Sequence, residues 1–126
     1  LAAARTARRH QEFQGIKIID LAETYAVWQQ GQALIVDARP SKDYQELHIP
    51  GAVNLPPERW AELDRLPLVA EWDRQRLLVV YCSQESCDDA LKLGKKLQQL
   101  GFARIMAFTG GFRAWDEAGY PVDTGI

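Results

Sequence analysis

Cys82 and Cys87 are the residues with the most evident chemistry, two thiols separated by Ser83, Gln84, Glu85 and Ser86. Cys82 directly follows residues 77–81, the most hydrophobic run of the chain, and a helical pattern opens at Ser86. A thiol between the end of a buried strand and the start of a helix faces backbone N–H groups that carry partial positive charge. Such groups favour thiolate over thiol. The N–H groups of residues 83–87 are placed to hold the terminal sulfur of a persulfide, or another small anion. Cys87 offers a second chemistry, resolution of a Cys82 persulfide or sulfenic acid through a disulfide, if the two Cα atoms lie within about 7 Å. The structural alternatives are that Cys82 is a small buried hydrophobe, as free cysteines often are, and that Cys87 packs inward under the helix.

Positioning these thiols falls to alternating strand and helix patterns. Residues 16–19 form a β-branched run, Asp20 and Glu23 make a capping box, and Leu21, Tyr25 and Trp28 recur at helical spacing before a stop at Gly31. Residues 34–38 are a short unbroken apolar run, as in a strand covered on both faces. Ser41 caps a brief helix through Glu46, Ile49-Pro50-Gly51 marks a turn, and residues 52–55 form a short strand. Pro56 and Pro57 open a polar helical stretch with Trp60, Leu63 and Leu66 on one side, and residues 77–81 read as the central strand. Over residues 86–100, Ala90, Leu93, Leu97 and Leu100 share one face, with Lys92, Lys95 and Lys96 away from it. Gly94 beside that stripe permits close approach to the sheet, and Gly101 closes the helix. Residues 103–108 give a fifth strand, and Gly110-Gly111 leads into a last helix carrying Phe112 and Trp115. Right-handed crossovers then give an α/β fold with a mostly parallel sheet and helices on both faces, whose strand C-termini are where ligands bind.

Length and composition set the frame. A chain of 126 residues is one domain, and 47% hydrophobic with 25% charged residues exclude a disordered or fibrous chain. No apolar run approaches the roughly 20 residues that span a bilayer. A net charge of −2 gives no overall field for nucleic acid, and two cysteines are too few for a disulfide framework. Residues 1–15 stand apart, with Arg5, Arg8 and Arg9 against Glu12 alone and no strand pattern. Because the first residue is Leu1 rather than Met, an excised or processed portion is expected. Residues 1–15 read either as the basic flank of a membrane helix or as a solvated lead-in helix or cloning remnant, and residues 16–126 as the domain.

Four segments together resemble the rhodanese-like (sulfurtransferase) domain family over roughly residues 16–122. They are Val36-Asp37-Ala38-Arg39 with Asp43-Tyr44, then His48-Ile49-Pro50-Gly51-Ala52-Val53-Asn54-Leu55-Pro56, then Val80-Tyr81-Cys82, and last Gly101-Phe102 with Gly110-Gly111-Phe112-Arg113-Ala114-Trp115. The order and separation of the pieces carry the resemblance. It implies a rhodanese-like three-layer sandwich, a five-stranded parallel sheet flanked by helices, with Cys82 opening an active-site loop that ends near Cys87. It also implies that Cys82 takes a sulfane sulfur from a donor such as thiosulfate, becomes a persulfide, and passes the sulfur to a thiol or cyanide.

The departures concern charge. Loops of active family members commonly carry glycine and a basic residue, whereas Glu85, Asp88 and Asp89 put three carboxylates and no cation between positions 82 and 89. A carboxylate about 5 Å from a bound dianion costs roughly 1.5–3 kcal/mol at intermediate dielectric. Thiosulfate should bind poorly unless Arg39, Arg113 or the lysines of the following helix reach it. Asp88 and Asp89 have an ordinary role as first-turn residues that satisfy helix N–H groups. Rhodanese-fold phosphatases place a phosphate-clamping arginine where this chain has Asp88, which argues against phosphatase chemistry. Asp37 and Arg39 are expected to brace the loops as an ion pair. Histidine titrates near neutral pH, but His48 is expected to hydrogen-bond a loop backbone, and Leu47 stands where the family usually has glycine. Cys82, Cys87 and His48 form no zinc pattern, Gly110-Gly111 lacks the fingerprint of a nucleotide loop, and neither metal nor cofactor is expected. His10 has no assigned role. Trp60, Trp72 and Trp115 read as core or cap residues.

The expected function is sulfur transfer from thiosulfate or a low-molecular-weight persulfide to cyanide or a thiol, protein thiols included. Two alternatives stand beside it: a Cys82/Cys87 dithiol redox or sensor domain, and a catalytically weak module that binds a partner. A cytoplasmic monomer is expected, with no nucleic-acid partner, either free or tethered to a membrane segment preceding Leu1.

Overall fold

Unbroken apolar runs become strands and amphipathic runs become helices. The computed structural model describes residues 2–125, so Leu1 and Ile126 lie outside the described residues. The strands are β1 (Lys17–Ile19), β2 (Leu34–Asp37), β3 (Val53–Asn54), β4 (Leu78–Tyr81) and β5 (Ile105–Phe108). The α-helices are α1 (Ala2–Glu12), α2 (Leu21–Gln30), α3 (Ser41–Glu46), α4 (Pro67–Ala70), α5 (Asp89–Gln99) and α6 (Gly111–Glu117), with a 3-10 stretch over Pro57–Arg65. The five strands form one sheet in the order β1-β5-β4-β2-β3, and every neighbouring pair is parallel. β4 is therefore the middle strand.

Period-two alternation along β4 divides the core into two layers. Leu78, Val80 and Cys82 face the layer built by α5, the 3-10 stretch and α4, where they meet Ala90, Leu93, Leu97 and Leu63. Val79 and Tyr81 face the opposite layer, with Phe108, Phe112, Trp115 and the α2 side chains Tyr25 and Trp28. Helices thus cover both faces, as parallel sheets require. Asp20 caps α2 by accepting the Glu23 N–H at 2.8 Å, and Gly31 ends it with φ +70. At Gly94 a methyl group would sit 3.2 Å from Ile16 and 3.3 Å from Ile105, so its hydrogen side chain lets α5 lie close on the sheet.

Several boundaries differ from the sequence expectation. α5 begins at Asp89 rather than Ser86, because the Cys87 N–H closes a turn on the Gln84 carbonyl at 2.9 Å. β5 begins at Ile105 rather than Ala103, whose N–H points toward the Arg74 carbonyl at 3.4 Å. The helical stretch after Pro56 is a 3-10 helix with a kink at Glu62. Residues 2–12 form α1, and this helix is docked rather than simply solvated: Arg9 is 4% exposed and Phe13, just beyond the helix, 6%. Among the described residues, no helix is long and apolar enough to cross a membrane.

Candidate active site

β4 delivers Cys82 to the C-terminal edge of the sheet at its centre, and burial leaves the residue 1% exposed. The thiol donates to the Cys87 carbonyl oxygen at 3.3 Å, while the nearby backbone N–H groups of Ala90 and Ser83 favour its anionic form. Burial first, and then the adjacent Cys87 thiol, push the Cys82 thiol up to about 12 against the pull of those two amides. The expectation that the helix start favours thiolate is therefore corrected for this arrangement, because desolvation outweighs the amides. The expected cradle of residues 83–87 also changes. Cys87 commits its N–H to the Gln84 carbonyl, and the amides that favour the Cys82 anion are those of Ala90, at the start of α5, and Ser83. Gln84 further bonds the Ser86 hydroxyl at 3.0 Å. Cys87 is half-buried, and its sulfur accepts the Asp89 N–H at 3.5 Å. Both cysteines are free thiols.

On one side the loop is gripped by α6. The Phe112 and Arg113 N–H groups donate to the carbonyls of Cys82 and Ser83 at 2.8 and 2.9 Å. Such close approach needs a residue without a side chain at Gly111, which has φ +71 and where a Cβ would lie 2.7 Å from the Gln84 nitrogen and 2.8 Å from the Cys82 oxygen.

On the other side the loop is gripped by α1. Buried Arg9 donates from Nη1 to the Glu85 carboxylate at 2.7 Å, and from Nη2 to the Glu85 carbonyl at 2.6 Å and the Asp88 carboxylate at 3.0 Å. Arg8 also bonds Asp88, and Arg5 stands 3.8 Å from Glu85. Partial burial alone would raise the Asp88 carboxyl, but the bonds from Arg8 and Arg9 outweigh it and hold the group below the ordinary value. This corrects two expectations. Asp88 makes no side-chain cap bond at the start of α5, and two of the three loop carboxylates are neutralised by cations from outside the loop. Complementary charge between positions 5–9 and 85–88 was the signal in the sequence that could have paired them.

Arg39 does not serve as a free cation. Its guanidinium bonds Asp37 through Nε at 3.1 Å and Nη2 at 2.8 Å, reaches the Leu47 carbonyl at 2.6 Å, and lies over the Phe112 ring. Asp37, fully buried, also accepts the Tyr81 hydroxyl at 2.6 Å, and that oxygen accepts the Ile49 N–H at 3.2 Å. His48 donates from Nδ1 to the Tyr44 carbonyl at 2.8 Å and stacks on the Tyr44 ring. These three residues brace the loops next to Cys82 without touching its sulfur. Arg113 does reach the loop, with Nη1 3.4 Å from Gln84 Oε1, and with Arg5, Glu85 and Ser86 it borders an open groove of about 440 Å3.

The thiol thus lies buried under its own loop, the groove borders that loop from outside, and the chain as a whole has counterparts among known proteins. The chain is 36% identical over 98 residues to the HTH-type transcriptional regulator Rv0324 of Mycobacterium tuberculosis, covering 75% of this chain but only 39% of that protein. It is 29% identical over 102 residues to the thiosulfate sulfurtransferase GlpE of Pseudoalteromonas translucida, covering 81% of this chain and 90% of that one. The crystal structure of the BH2092 protein from Bacillus halodurans superposes with a TM-score of 0.74 at 25% identity, over 96% of this chain and 86% of its own. The family model for the rhodanese-like domain matches residues 20–118, and the chain belongs to that family.

Proposed function

We propose that the domain is a sulfurtransferase in which Cys82 carries the sulfur. The Cys82 thiolate attacks the outer sulfur of thiosulfate, the S–S bond breaks, and sulfite leaves with the electron pair. A thiolate or cyanide then attacks the terminal sulfur of the Cys82 persulfide and regenerates the Cys82 thiolate. The observation that supports this reading most strongly is the placement of Cys82 at the end of the central strand, buried at the start of α5, with the Ala90 and Ser83 amides near enough to favour its anionic form. Amides so placed stabilise an anionic persulfide without a charged side chain. The likeness to a thiosulfate sulfurtransferase across nearly that protein's full length agrees with it. Steady-state thiocyanate formation from thiosulfate or a low-molecular-weight persulfide and cyanide tests it. Turnover that disappears in Cys82→Ser supports it, and no turnover from any donor overturns it.

The place of Cys87 beside Cys82 supports a second step. The Cys87 thiolate attacks the inner sulfur of the Cys82 persulfide, hydrosulfide leaves, and a disulfide forms. A persulfide that persists in Cys87→Ser but decays in the unaltered chain supports that step, whereas equal lifetimes contradict it. The likeness to part of a transcriptional regulator favours a third use, as the sensing module of a longer chain. There Cys82 modification rather than turnover would be the output.

A further inference from the structure

The two halves of the loop are held by different means. Cys82 and Ser83 are fixed by main-chain bonds to α6, with Gly111 pressed against their peptides. Glu85 and Asp88 are held instead by the side chain of Arg9, which is itself 4% exposed. The atom lying on the Cys82 thiol is the Cys87 carbonyl oxygen, which belongs to the half that Arg9 holds. Cys82 is 1% exposed beneath that oxygen, so a shift of residues 85–88 with residues 82–83 kept in place would uncover the thiol. Arg9 also fixes a peptide plane. With its carbonyl bound to Nη2, the trans peptide after Glu85 must point the Ser86 N–H away from α1.

We propose that Arg9 is a positioning residue for sulfur transfer, a latch whose guanidinium holds residues 85–88 over Cys82, so that α1 governs access to the thiol. The proposal rests on residues 82–87 being the sulfur-transfer loop, and it brings into the site a helix outside the matched segment 20–118. A guanidinium suits the task because its planar fork bonds one carbonyl and two carboxylates at once, which an ammonium point charge does not.

Alkylation by iodoacetamide, in which the Cys82 thiolate displaces iodide, reads access without a sulfur donor. Rates are measured by intact mass in a Cys87→Ser background for the parent, Arg9→Gln and Arg9→Lys. Arg9→Gln should alkylate faster, by roughly threefold for each unit that the Cys82 pKa falls from the buried value, since the gain in thiolate is partly offset by its weaker nucleophilicity, with Arg9→Lys intermediate. The rates should not change in urea concentrations below the unfolding transition, since local opening exposes little surface. Equal rates in folded Arg9→Gln overturn the latch, as does an acceleration that climbs with urea like global unfolding. If Arg9→Gln does not fold, Glu85→Gln/Asp88→Asn loosens the same contacts from the loop side, with the same acceleration expected. Absence of sulfur transfer with the alkylation gap intact sinks the proposed function and leaves the latch standing, and the converse result does the reverse.

Discussion

The Cys82 thiol donates to the carbonyl oxygen of Cys87 at 3.3 Å, so the group that must act as nucleophile is held as a neutral donor under its own loop. An oxygen lone pair facing the sulfur repels thiolate, and the surrounding apolar layer withholds solvation from it. The Ala90 and Ser83 amides pull the other way.

The buried thiol links stability to alkaline pH. Its folded pKa is raised from 9.0 to about 12, so the stabilising preference for the neutral form is fully present below pH 9 and is lost as pH rises toward 12. The slope is about 1.4 kcal/mol per pH unit. Burial raises the Tyr81 phenol as well, which adds loss in the same direction. Urea unfolding at several pH values above 9 should show a shallower decline in Cys82→Ser. An identical decline in the variant contradicts the assignment.

Asp37 accepts from Arg39 and Tyr81 while fully buried. Asp37→Ala leaves the Arg39 charge unpaired and should cost about 3–5 kcal/mol, measured by denaturant unfolding. Arg39→Met added to Asp37→Ala should recover part of that loss, because the stranded charge is gone.

Two glycines with similar φ separate strain from contact. Gly111 has φ +71 and sits against the loop backbone, whereas Gly119 has φ +77 and nothing within 4 Å of an added Cβ. Gly119→Ala should cost stability alone, about 1–3 kcal/mol. Gly111→Ala should cost more and also slow Cys82 persulfide formation, since the loop must move off the new methyl. Equal effects of the two substitutions on stability and transfer would contradict the contact.

Arg113 borders the groove beside the loop and is exposed, with a 3.4 Å bond to Gln84. Arg113→Glu should raise KM for thiosulfate roughly three- to tenfold at low salt while leaving kcat near the parent value. The effect should fade as ionic strength rises. A KM insensitive to both the substitution and salt would show that the donor enters elsewhere.

The sheet was legible because a parallel strand covered on both faces reads as an unbroken apolar run, and residues 34–36, 78–81 and 105–108 are such runs. The loop was legible as a position, since Cys82 ends the most hydrophobic of them. Its electrostatics were not. Glu85 and Asp88 read as exposed liabilities because their partners, Arg5, Arg8 and Arg9, lie some eighty positions away in a segment without strand pattern. The thiol's state was also misjudged. A helix start was evident from the spacing of Ala90, Leu93 and Leu97, but the turn of the Cys87 carbonyl onto sulfur depends on tertiary contacts from α1 and α6. Gly111 looked like a helix entry, and only the approach of α6 to the Cys82 and Ser83 peptides shows why a side chain is excluded there.

The most direct test of the central claim is the intact mass of the protein after incubation with thiosulfate or a low-molecular-weight persulfide, followed by cyanide. The account predicts one added sulfur atom in Cys87→Ser, where no second thiol can resolve the persulfide, removed by cyanide, and none in Cys82→Ser. Failure of every donor to add sulfur to Cys87→Ser, or addition that survives in Cys82→Ser, would contradict it.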